Sequence, residues 1–425
     1  MSGRVGTRRI LAATLLVAGC LDNPAAPPAP YPAVPLTAIA AGSDVTCGSS
    51  ADTTFYCWGA PQLLGHLVDS ACAADPMCTG VPAPLDAQFR FVSFTVPRGS
   101  GGQTCGIVAG GQSYCWGEVG GFDYTFWHYT TPVAFPPGGP FRMMSSGVRH
   151  TCALDQQAQA WCWGANYQME LGTGFAVDSI EATDVPQQVA GDATFTQLTA
   201  GNLHTCGLNG TGQALCWGAN NAGQLGTGPA SPDPGSCIFL DICTGTPAPV
   251  LGAFSFTAVS AGGAHTCGIV TGVLYCWGAD DAGQLGTTAV HDTCTGYLVA
   301  AGSYPCSREP VPVAFPFASA SQSIVAVTTG WSHTCALTAD GKAYCWGSNE
   351  HGQLGSGRHG GSVAQPAAVA GGPAAFRAIT AGRDFTCGLA TNGEAWCWGG
   401  NEAGQLGDGT LQDRDAPVPV RRPRP

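Results

Sequence analysis

The sequence predicts an all-β protein, a β-propeller of seven blades. Glycine and proline are abundant, at 62 and 31 of 425 residues, and only 10% of residues are charged, which favours short strands and turns over long solvated helices. A phrase with two cysteines about ten residues apart, followed by Trp-Gly, recurs seven times. Its first cysteine lies at positions 47, 105, 152, 206, 267, 335 and 387. A period of roughly fifty residues with several strands per unit is typical of propeller blades.

The first twenty residues, "MSGRVGTRRILAATLLVAGC", predict export. A basic start precedes an apolar run from Ile10 to Ala18, which is too short to span a hydrocarbon core of about 30 Å. The segment resembles a bacterial lipoprotein signal, in which small residues precede the cysteine that becomes the lipid-bearing N-terminus. That resemblance implies that residues 1–19 are a signal peptide and that Cys20 is acylated. An ordinary export signal with an incidental cysteine is the alternative.

Residues 20–35 form a proline-rich linker that favours extended polyproline geometry. We expect it to hold the folded body, residues 36–420, away from a membrane surface in the bacterial cell envelope, with the lipid as the sole membrane attachment. Residues 421–425 form a short basic tail, interpreted as a solvated terminus.

The remaining cysteines fall into pairs that predict disulfides. The pairs within the repeats are Cys47/Cys57, Cys105/Cys115, Cys152/Cys162, Cys206/Cys216, Cys267/Cys276, Cys335/Cys345 and Cys387/Cys397. The pairs in connecting segments are Cys72/Cys78, Cys237/Cys243 and Cys294/Cys306. An exported protein meets oxidising conditions, and these spacings lack the close pairs of a zinc site.

A β-hairpin brings the paired cysteines together. Pairing Cys206 with Cys216 centres the turn on Thr211, and directly opposed strand residues have Cα atoms about 4.5–5.5 Å apart, within reach of a disulfide. Cys267 and Cys276 are one residue closer, and a two-residue Thr271-Gly272 turn would keep them opposite each other.

Each repeat contains four candidate strands: a Pro-Val strand, a strand ending in glycine such as "FTAVSAG", the "HTCGI" strand and the "LYCWG" strand. Residues flanking the second cysteine point to the opposite face from it. These flanks are Tyr56/Trp58, Tyr114/Trp116, Trp161/Trp163, Leu215/Trp217, Tyr275/Trp277, Tyr344/Trp346 and Trp396/Trp398. We interpret them as packing between adjacent blades, with ligand stacking as the alternative.

The two ends of the array suggest how the ring closes. No Pro-Val strand in register precedes "LTAIAAG" at 36–42, whereas "APVPV" at 416–420 stands at the very end. We therefore expect the C-terminal strand to join the N-terminal blade, which would remove two exposed sheet edges.

Three segments resemble the regulator of chromosome condensation repeat family: residues 261–287, 329–357 and 381–409, each with a "CWG" followed by "GQLG". The resemblance covers roughly residues 36–420, although this tail is degenerate in the first and third repeats and absent from the second. It implies a seven-bladed propeller. It also implies guanine nucleotide exchange, the role of the member that names the family, or enzyme inhibition by binding, as in some secreted bacterial members.

The histidines and aspartates that could bind a metal ion are interpreted as structural residues. His150, His204, His265 and His333 share the position two residues before the first cysteine, but equivalent positions are spread around a ring, so we expect hydrogen-bonded strand histidines rather than a metal site. The aspartates at 280–281 and 408–415 lack calcium-loop spacing and are interpreted as solvated turns. Nucleophile-elbow, zinc-hydrolase and phosphate-loop motifs are missing, so we expect no catalytic residue, metal or cofactor. A carboxylate pair assembled by the fold stays possible.

The charge of the chain argues against nucleic acid as a partner. The formal net charge is −12, and Lys342 is the only lysine. Binding of phosphate backbones depends on clusters of lysine and arginine. We therefore predict a protein or glycan partner.

Long connections mark one face of the ring. Residues 66–80, 118–130, 229–247 and 287–310 all follow a Trp-Gly strand and precede a Pro-Val strand, so ring geometry places them on one face, where repeat proteins commonly bind. Three of them hold their own cysteine pair. The fourth contains an aromatic cluster that is a candidate partner-binding site: Phe122, Tyr124, Phe126, Trp127 and Tyr129. The alternative is a strand with half of these aromatics in the core.

The leading hypothesis is an extracytoplasmic, lipid-anchored binding module that recognises a protein or glycan through this face, possibly as an enzyme inhibitor. An enzyme with an active site on the propeller rim is the first alternative. A guanine nucleotide exchange factor, suggested by the family resemblance alone, is the second, and export would separate it from any cytosolic GTPase.

Overall fold

The protein folds into seven antiparallel sheets arranged as the blades of a propeller. The computed structural model describes residues 35–65, 80–99, 101–119, 127–134, 139–174, 182–228, 237, 242–288, 292–295, 302–316 and 322–421. Within these ranges the regular structure is all strand, apart from one 3-10 turn at Pro61–Leu63. The prediction of an all-β, seven-bladed propeller is confirmed. No helix in this part of the chain is long and apolar enough for a membrane crossing.

Each blade contains at least four strands, and the first three follow one another in chain order. Blade 1 consists of β1 (Leu36–Ala41), β2 (Val45–Ser50), β3 (Phe55–Gly59) and β4 (Ala83–Pro84). Blade 2 consists of β5 (Phe91–Thr95), β6 (Gln103–Val108), β7 (Ser113–Val119) and β8 (Trp127–Ala134). Blade 3 consists of β9 (Phe141–Ser146), β10 (His150–Asp155), β11 (Ala160–Ala165) and β12 (Ala182–Gln188). Blade 4 consists of β13 (Phe195–Ala200), β14 (His204–Asn209), β15 (Ala214–Ala219) and β16 (Cys243–Pro249).

The remaining blades keep this order, and blade 5 has an additional strand at its edge. Blade 5 consists of β17 (Ala258–Ala261), β18 (His265–Val270), β19 (Val273–Ala279), β20 (Asp292–Thr295) and β21 (Ser303–Pro312). Blade 6 consists of β22 (Ile324–Thr329), β23 (His333–Thr338), β24 (Ala343–Ser348) and β25 (Ser362–Ala368). Blade 7 consists of β26 (Phe376–Ala381), β27 (Phe385–Ala390), β28 (Ala395–Gly399) and β29 (Arg414–Pro419).

The second and third strands of every blade form the predicted cross-linked hairpin. Cys206 lies directly opposite Cys216, with Cα atoms 4.1 Å apart. Thr271 and Gly272 make the expected two-residue turn, with φ of 47° and 82°. The repeat disulfides, one per blade, are Cys47–Cys57, Cys105–Cys115, Cys152–Cys162, Cys206–Cys216, Cys267–Cys276, Cys335–Cys345 and Cys387–Cys397.

These repeat disulfides lie in the core. Every one of their cysteines is fully buried, including the members on the third strands of blades 1, 2, 3 and 6: Cys57, Cys115, Cys162 and Cys345.

The cysteines of the connecting segments are described in part. Cys237–Cys243 and Cys294–Cys306 are bonded as predicted. Cys72 and Cys78 lie outside the described residues, so their pairing stays a prediction.

The expected closure by the C-terminal strand is wrong. Strand β29 pairs with β28 inside blade 7, where Trp396 faces Pro419 and Cys397 faces Val418. The N-terminal blade completes itself with the short strand β4, which pairs with β3. The repeat therefore begins with the glycine-ending strand and finishes with the Pro-Val strand, so the first and last blades are each built from one continuous stretch of chain.

The ring closes through contacts between intact blades. Around the central channel, one backbone amide per seam donates to the loop of the next blade: Ser43 N to Pro97 O, Arg98 N to Gly147 O, Val148 N to Gly201 O, Asn202 N to Gly262 O, Gly263 N to Gly330 O, Trp331 N to Arg383 O and Arg383 N to Gly42 O, at 2.8–3.2 Å. The seam between blades 7 and 1 is bonded like the others. It also holds a bond from Ala41 N to Thr380 Oγ1, 3.1 Å long.

The core lies between the blades. There the tryptophan that follows the second cysteine of each repeat is fully buried. Trp277 packs against Leu225 and Val250 of the preceding blade. Its indole N–H and the hydroxyl of Thr266 both donate to the backbone carbonyl of Gln224, each at 2.9 Å. The "GQLG" tail of one blade therefore supplies a carbonyl that accepts hydrogen bonds from the next blade. The packing role predicted for these tryptophans is confirmed.

Candidate functional site

Two sets of loops in each blade lie on the same face of the ring. In each blade the loop between the first two strands leaves the sheet at the same edge as the connection between the third and fourth strands, since His204 at the start of β14 lies opposite Gly218 at the end of β15. We call this side the mouth face, because the loops surround the opening of the central channel there. The tight turns between second and third strands, such as the one at Thr211, lie on the opposite face.

Seven residues at equivalent loop positions surround the channel opening, and six of them carry a side chain. We call them the mouth residues: Ser43, Arg98, Val148, Asn202, Gly263, Trp331 and Arg383. Their backbones are held by the seam hydrogen bonds described above, so the framework is the same in every blade while the side chain differs. A rigid backbone that presents serine, valine, asparagine, tryptophan and two arginines around one opening is a suitable scaffold for recognition.

An aromatic and cationic pair lies on one side of the mouth. The Arg383 guanidinium stacks on the Trp331 ring, with 5.1 Å between the guanidinium carbon and the ring centroid, within the range of a cation–π contact. Arg383 is exposed and its Nε lies 3.2 Å from a carboxylate oxygen of Asp384. Trp331 is half-buried, so part of its ring remains open to solvent.

Arg98 reaches across the channel from blade 2. Its guanidinium donates a hydrogen bond to the backbone carbonyl of Thr329 in blade 6. Burial lowers the pKa of Arg98 to about 10, which leaves the side chain cationic at neutral pH. Together with Val148, Asn202, Trp331 and Arg383 it lines a small depression at the centre of the mouth face.

A second small depression adjoins the first over blade 5. Its lining includes Asn202, Asp281, Tyr304 and Trp331. Tyr304 lies on β21 beside Cys294, its partner across the strand pair, and the Cys294–Cys306 disulfide cross-links this hairpin. Burial raises the pKa of Tyr304, so its phenol is a neutral hydrogen-bonding group. The cross-linked hairpin forms one wall of the depression, as expected for a cysteine-bearing connection on this face.

The four predicted strand histidines are buried and hydrogen-bonded. Each donates from Nε2 to a threonine hydroxyl of the following blade: His150 to Thr205, His204 to Thr266, His265 to Thr334 and His333 to Thr386, at 2.8–3.0 Å. We assign the proton to Nε2 because each threonine uses its own hydroxyl proton on a backbone carbonyl. Burial is the main cause that lowers the pKa of His204, His265 and His333 to about 3. These histidines are neutral seam contacts, as predicted.

The predicted aromatic cluster is only partly described. Trp127 and Tyr129 lie on β8, where Trp127 pairs with Val119 and Tyr129 pairs with Gly117. The Tyr129 side chain is half-buried against the core between blades 1 and 2. For these positions the strand interpretation applies: residues 118–119 belong to β7 and residues 127–130 belong to β8. Phe122, Tyr124, Phe126 and also Cys20 lie outside the described residues.

Sequence reasoning pointed to the face on which the mouth residues lie but did not identify those residues. The prediction relied on the long connections between third and fourth strands. Arg98, Trp331 and Arg383 lie instead in the short loops between first and second strands. Six of the seven repeats keep a glycine before the mouth position, whereas the mouth residue and the residue after it both vary between blades. Variation alone therefore did not single out the mouth position.

Comparison with known proteins finds relatives in eukaryotes. The chain is 27% identical over 315 residues to the ultraviolet-B receptor UVR8 of Arabidopsis thaliana, covering 72% of this chain and 64% of the receptor. It is 26% identical over 404 residues to the secretion-regulating guanine nucleotide exchange factor of Mus musculus, covering 88% and 79%. It is 29% identical over 214 residues to the probable E3 ubiquitin-protein ligase HERC6 of Homo sapiens, covering 50% of this chain and 19% of the ligase. The chain thus spans less than two thirds of the receptor and about a fifth of the ligase.

Solved structures share the fold at low identity. Prp20p of Saccharomyces cerevisiae superposes with a TM-score of 0.67 at 18% identity, covering 83% of this chain and 81% of Prp20p. Human WBSCR16 superposes with a TM-score of 0.66 at 21% identity, covering 81% and 85%.

Two repeat descriptions match the sequence, both under the name regulator of chromosome condensation (RCC1) repeat. One matches residues 157–208, 211–269, 271–337, 340–389 and 392–425, and the other matches 144–168, 195–224, 324–353 and 376–405. These matches extend over more than half of the chain; the units of the second set fall within single blades, and all but the last of the first set run from one blade into the next. The chain therefore belongs to the regulator of chromosome condensation (RCC1) repeat family.

Proposed function

We propose that this protein is an exported, lipid-anchored binding module of the bacterial cell envelope that holds a protein or glycan partner on its mouth face. The observation that supports this most directly is the arrangement of seven equivalent backbone positions around one opening, six of which carry side chains of differing chemistry. Aromatic residues and arginine are enriched at interface centres, and both are present here.

The rigidity of the ring supports the same proposal. Seven hairpins are cross-linked by disulfides, and each seam has its own backbone hydrogen bond at the mouth. A surface that is already ordered loses little conformational entropy on binding. The disulfides themselves favour an oxidising compartment outside the cytoplasm.

Relatives support binding as the use of this fold. The yeast neighbour Prp20p is described as binding Gsp1p and histones, and the mouse relative is a guanine nucleotide exchange factor. We favour binding without nucleotide exchange for this chain. Residues 1–19 are expected to direct its export, which would separate the mature protein from cytosolic GTPases. An enzyme-inhibiting role is a special case of the same binding.

Affinity capture from envelope extracts tests the proposal. The immobilised mature protein should recover a partner, and Trp331→Ala should reduce that recovery about tenfold or more, the usual effect of removing a central aromatic anchor. Thr211→Ala, an exposed turn residue on the opposite face, is the matched control and should leave recovery unchanged. Equal recovery by all three proteins would refute the mouth as the binding face. Point variants are preferable to deletion of 118–130, which would remove parts of β7 and β8.

The anchor is tested separately. Mass spectrometry of the protein purified from envelopes should find an N-terminus at Cys20 that carries lipid. Cys20→Ala should release the protein from the membrane fraction. An unmodified Cys20, with the protein soluble in the periplasm or medium, would contradict the anchor and leave the binding proposal in place.

A further inference from the structure

Arg98 is a cation without a described counter-ion at the centre of an acidic protein. In the part of the chain that the structure describes, Arg308, Arg383 and Arg414 each form an ion pair with an aspartate. Arg98 has no such partner in these ranges and donates only to the Thr329 carbonyl. A guanidinium has five N–H donors in a planar fork, and this hydrogen bond uses one of them.

The position of Arg98 is central. It extends from blade 2 to the Thr329 carbonyl of blade 6, and it lines the central depression of the mouth face together with residues of blades 3 to 7. It therefore occupies the point that a partner seated on the mouth face would cover.

Taking a half-buried guanidinium further out of water costs free energy unless an anion accompanies it. A partner that covers the mouth without supplying an anion would leave Arg98 poorly solvated. One that supplies a carboxylate gains a bidentate, charge-assisted pair.

We propose that the mouth binds one carboxylate from an acidic side chain of a protein partner, paired with Arg98, while an adjoining apolar side chain of the partner packs on Trp331. This inference rests on the proposed function and specifies the chemistry of the partner at that site. A single negative charge fits best, because Arg98 offers one uncompensated positive charge while Asp384 and Asp281 near the rim would repel a dianion.

The direct test uses small probes and needs no partner. In the isotope-labelled mature protein, the Arg98 side-chain N–H signals and the Trp331 indole signal should shift saturably with N-acetylglutamate methylamide. The uncharged N-acetylglutamine methylamide should cause no saturable shift. Arg98→Gln should weaken the glutamate response about tenfold or more, in line with the loss of a charged hydrogen-bonded pair. Arg142→Gln, in which the lost guanidinium lies at the other end of the channel and contacts backbone carbonyls, should leave it unchanged.

Two outcomes would overturn the proposal. Saturable binding of inorganic phosphate or sulfate in preference to the carboxylate would point to a different anion, such as that of a charged glycan. The absence of any saturable shift in the wild-type protein would remove the anion site altogether. If Arg98→Gln fails to fold, the wild-type titrations still decide. Partner capture that depends on Trp331 but not on Arg98 would keep the binding module and reject only the carboxylate site.

Discussion

A few hydrogen-bonding residues connect each blade to the next. The carbonyl of Gln224 accepts from Thr266 and Trp277, and the Thr266 hydroxyl in turn accepts from His204. The arrangement tolerates substitution when an equivalent polar atom is supplied. Blade 2 lacks the "GQLG" tail, and there the side-chain oxygen of Gln103, in the histidine position, accepts from Trp163 at 3.1 Å.

Glu170 stands where the regular repeat has glutamine. Its carboxylate oxygen accepts from Gln168 N at 2.8 Å, just as the Gln224 side chain accepts from Ala222 N at 2.9 Å. Burial raises the pKa of Glu170 to about 8, above its ordinary value of 4.5. The folded state therefore holds this proton more tightly, and its contribution to stability is present below pH 4.5 and is lost as pH rises through 8.

We predict that Glu170→Gln stabilises the protein relative to wild type increasingly between pH 5 and pH 8. The difference in unfolding free energy should grow by on the order of 1 kcal/mol per pH unit, because glutamine fills the same site without a charge. Denaturant unfolding at several pH values measures it. Glu309→Gln, at an exposed position on β21, should show no such trend. A constant or shrinking difference for Glu170→Gln would contradict the assignment.

At the scale of elements, the tail after each third strand is shaped by its contact with the next blade. Gly226 has φ of 67°, in the left-handed region, and a Cβ there would lie 2.8 Å from Nε1 of Trp277. Both the backbone conformation and the close approach require glycine.

Gly226→Ala should therefore destabilise the protein by about 2–4 kcal/mol, from left-handed strain and from displacement of the tryptophan. Gly191→Ala is the matched control, because Gly191 has φ of 88° but no atom within 4 Å of its Cβ position. Gly191→Ala should lower the unfolding free energy only through left-handed backbone strain, by roughly 1–2 kcal/mol. Chemical denaturation compares the two, and equal losses would show that the tryptophan contact does not matter.

Strands were predictable from the sequence where chemistry fixed the register. Paired cysteines such as Cys206 and Cys216 determine which residues face each other, and the alternating aromatic residues then determine the buried face. The boundary of the repeat was not determined, because a periodic sequence has the same period wherever counting begins. The two-residue strand β4 was too short to recognise, which made the C-terminal strand look like the missing partner of blade 1.

Across the whole molecule, stability depends on many similar seams. Four of the seven contain the same neutral histidine, bonded to a threonine of the next blade. Because burial lowers their pKa below the ordinary 6.5, the unfolded state binds more protons as pH falls below 6.5. The contribution of these seams is thus complete above pH 6.5 and decreases as pH falls toward 3.

We predict that the unfolding free energy falls between pH 6.5 and pH 4.5, and that His265→Gln makes this fall shallower by about 1 kcal/mol per pH unit. Glutamine keeps an N–H donor for Thr334 but carries no titrating group. His359→Gln is the control, since His359 is 73% exposed. Denaturant unfolding across this range provides the comparison, and an unchanged slope for His265→Gln would be evidence against a neutral, buried seam histidine.

The mouth could not be predicted from sequence, because it exists only when seven loops from distant parts of the chain meet. Arg98 and Thr329 are far apart in sequence and become neighbours across the channel. Ring closure is therefore the step that creates the site.

Site-specific photo-cross-linking in envelopes tests most directly whether a partner binds the mouth face. A photoreactive residue replaces either Arg383 or Thr211. Both positions are exposed, the first at the mouth and the second on the opposite face. Our account predicts a defined cross-linked partner from position 383 and none from position 211. A partner cross-linked only from position 211, or from neither position, would contradict it.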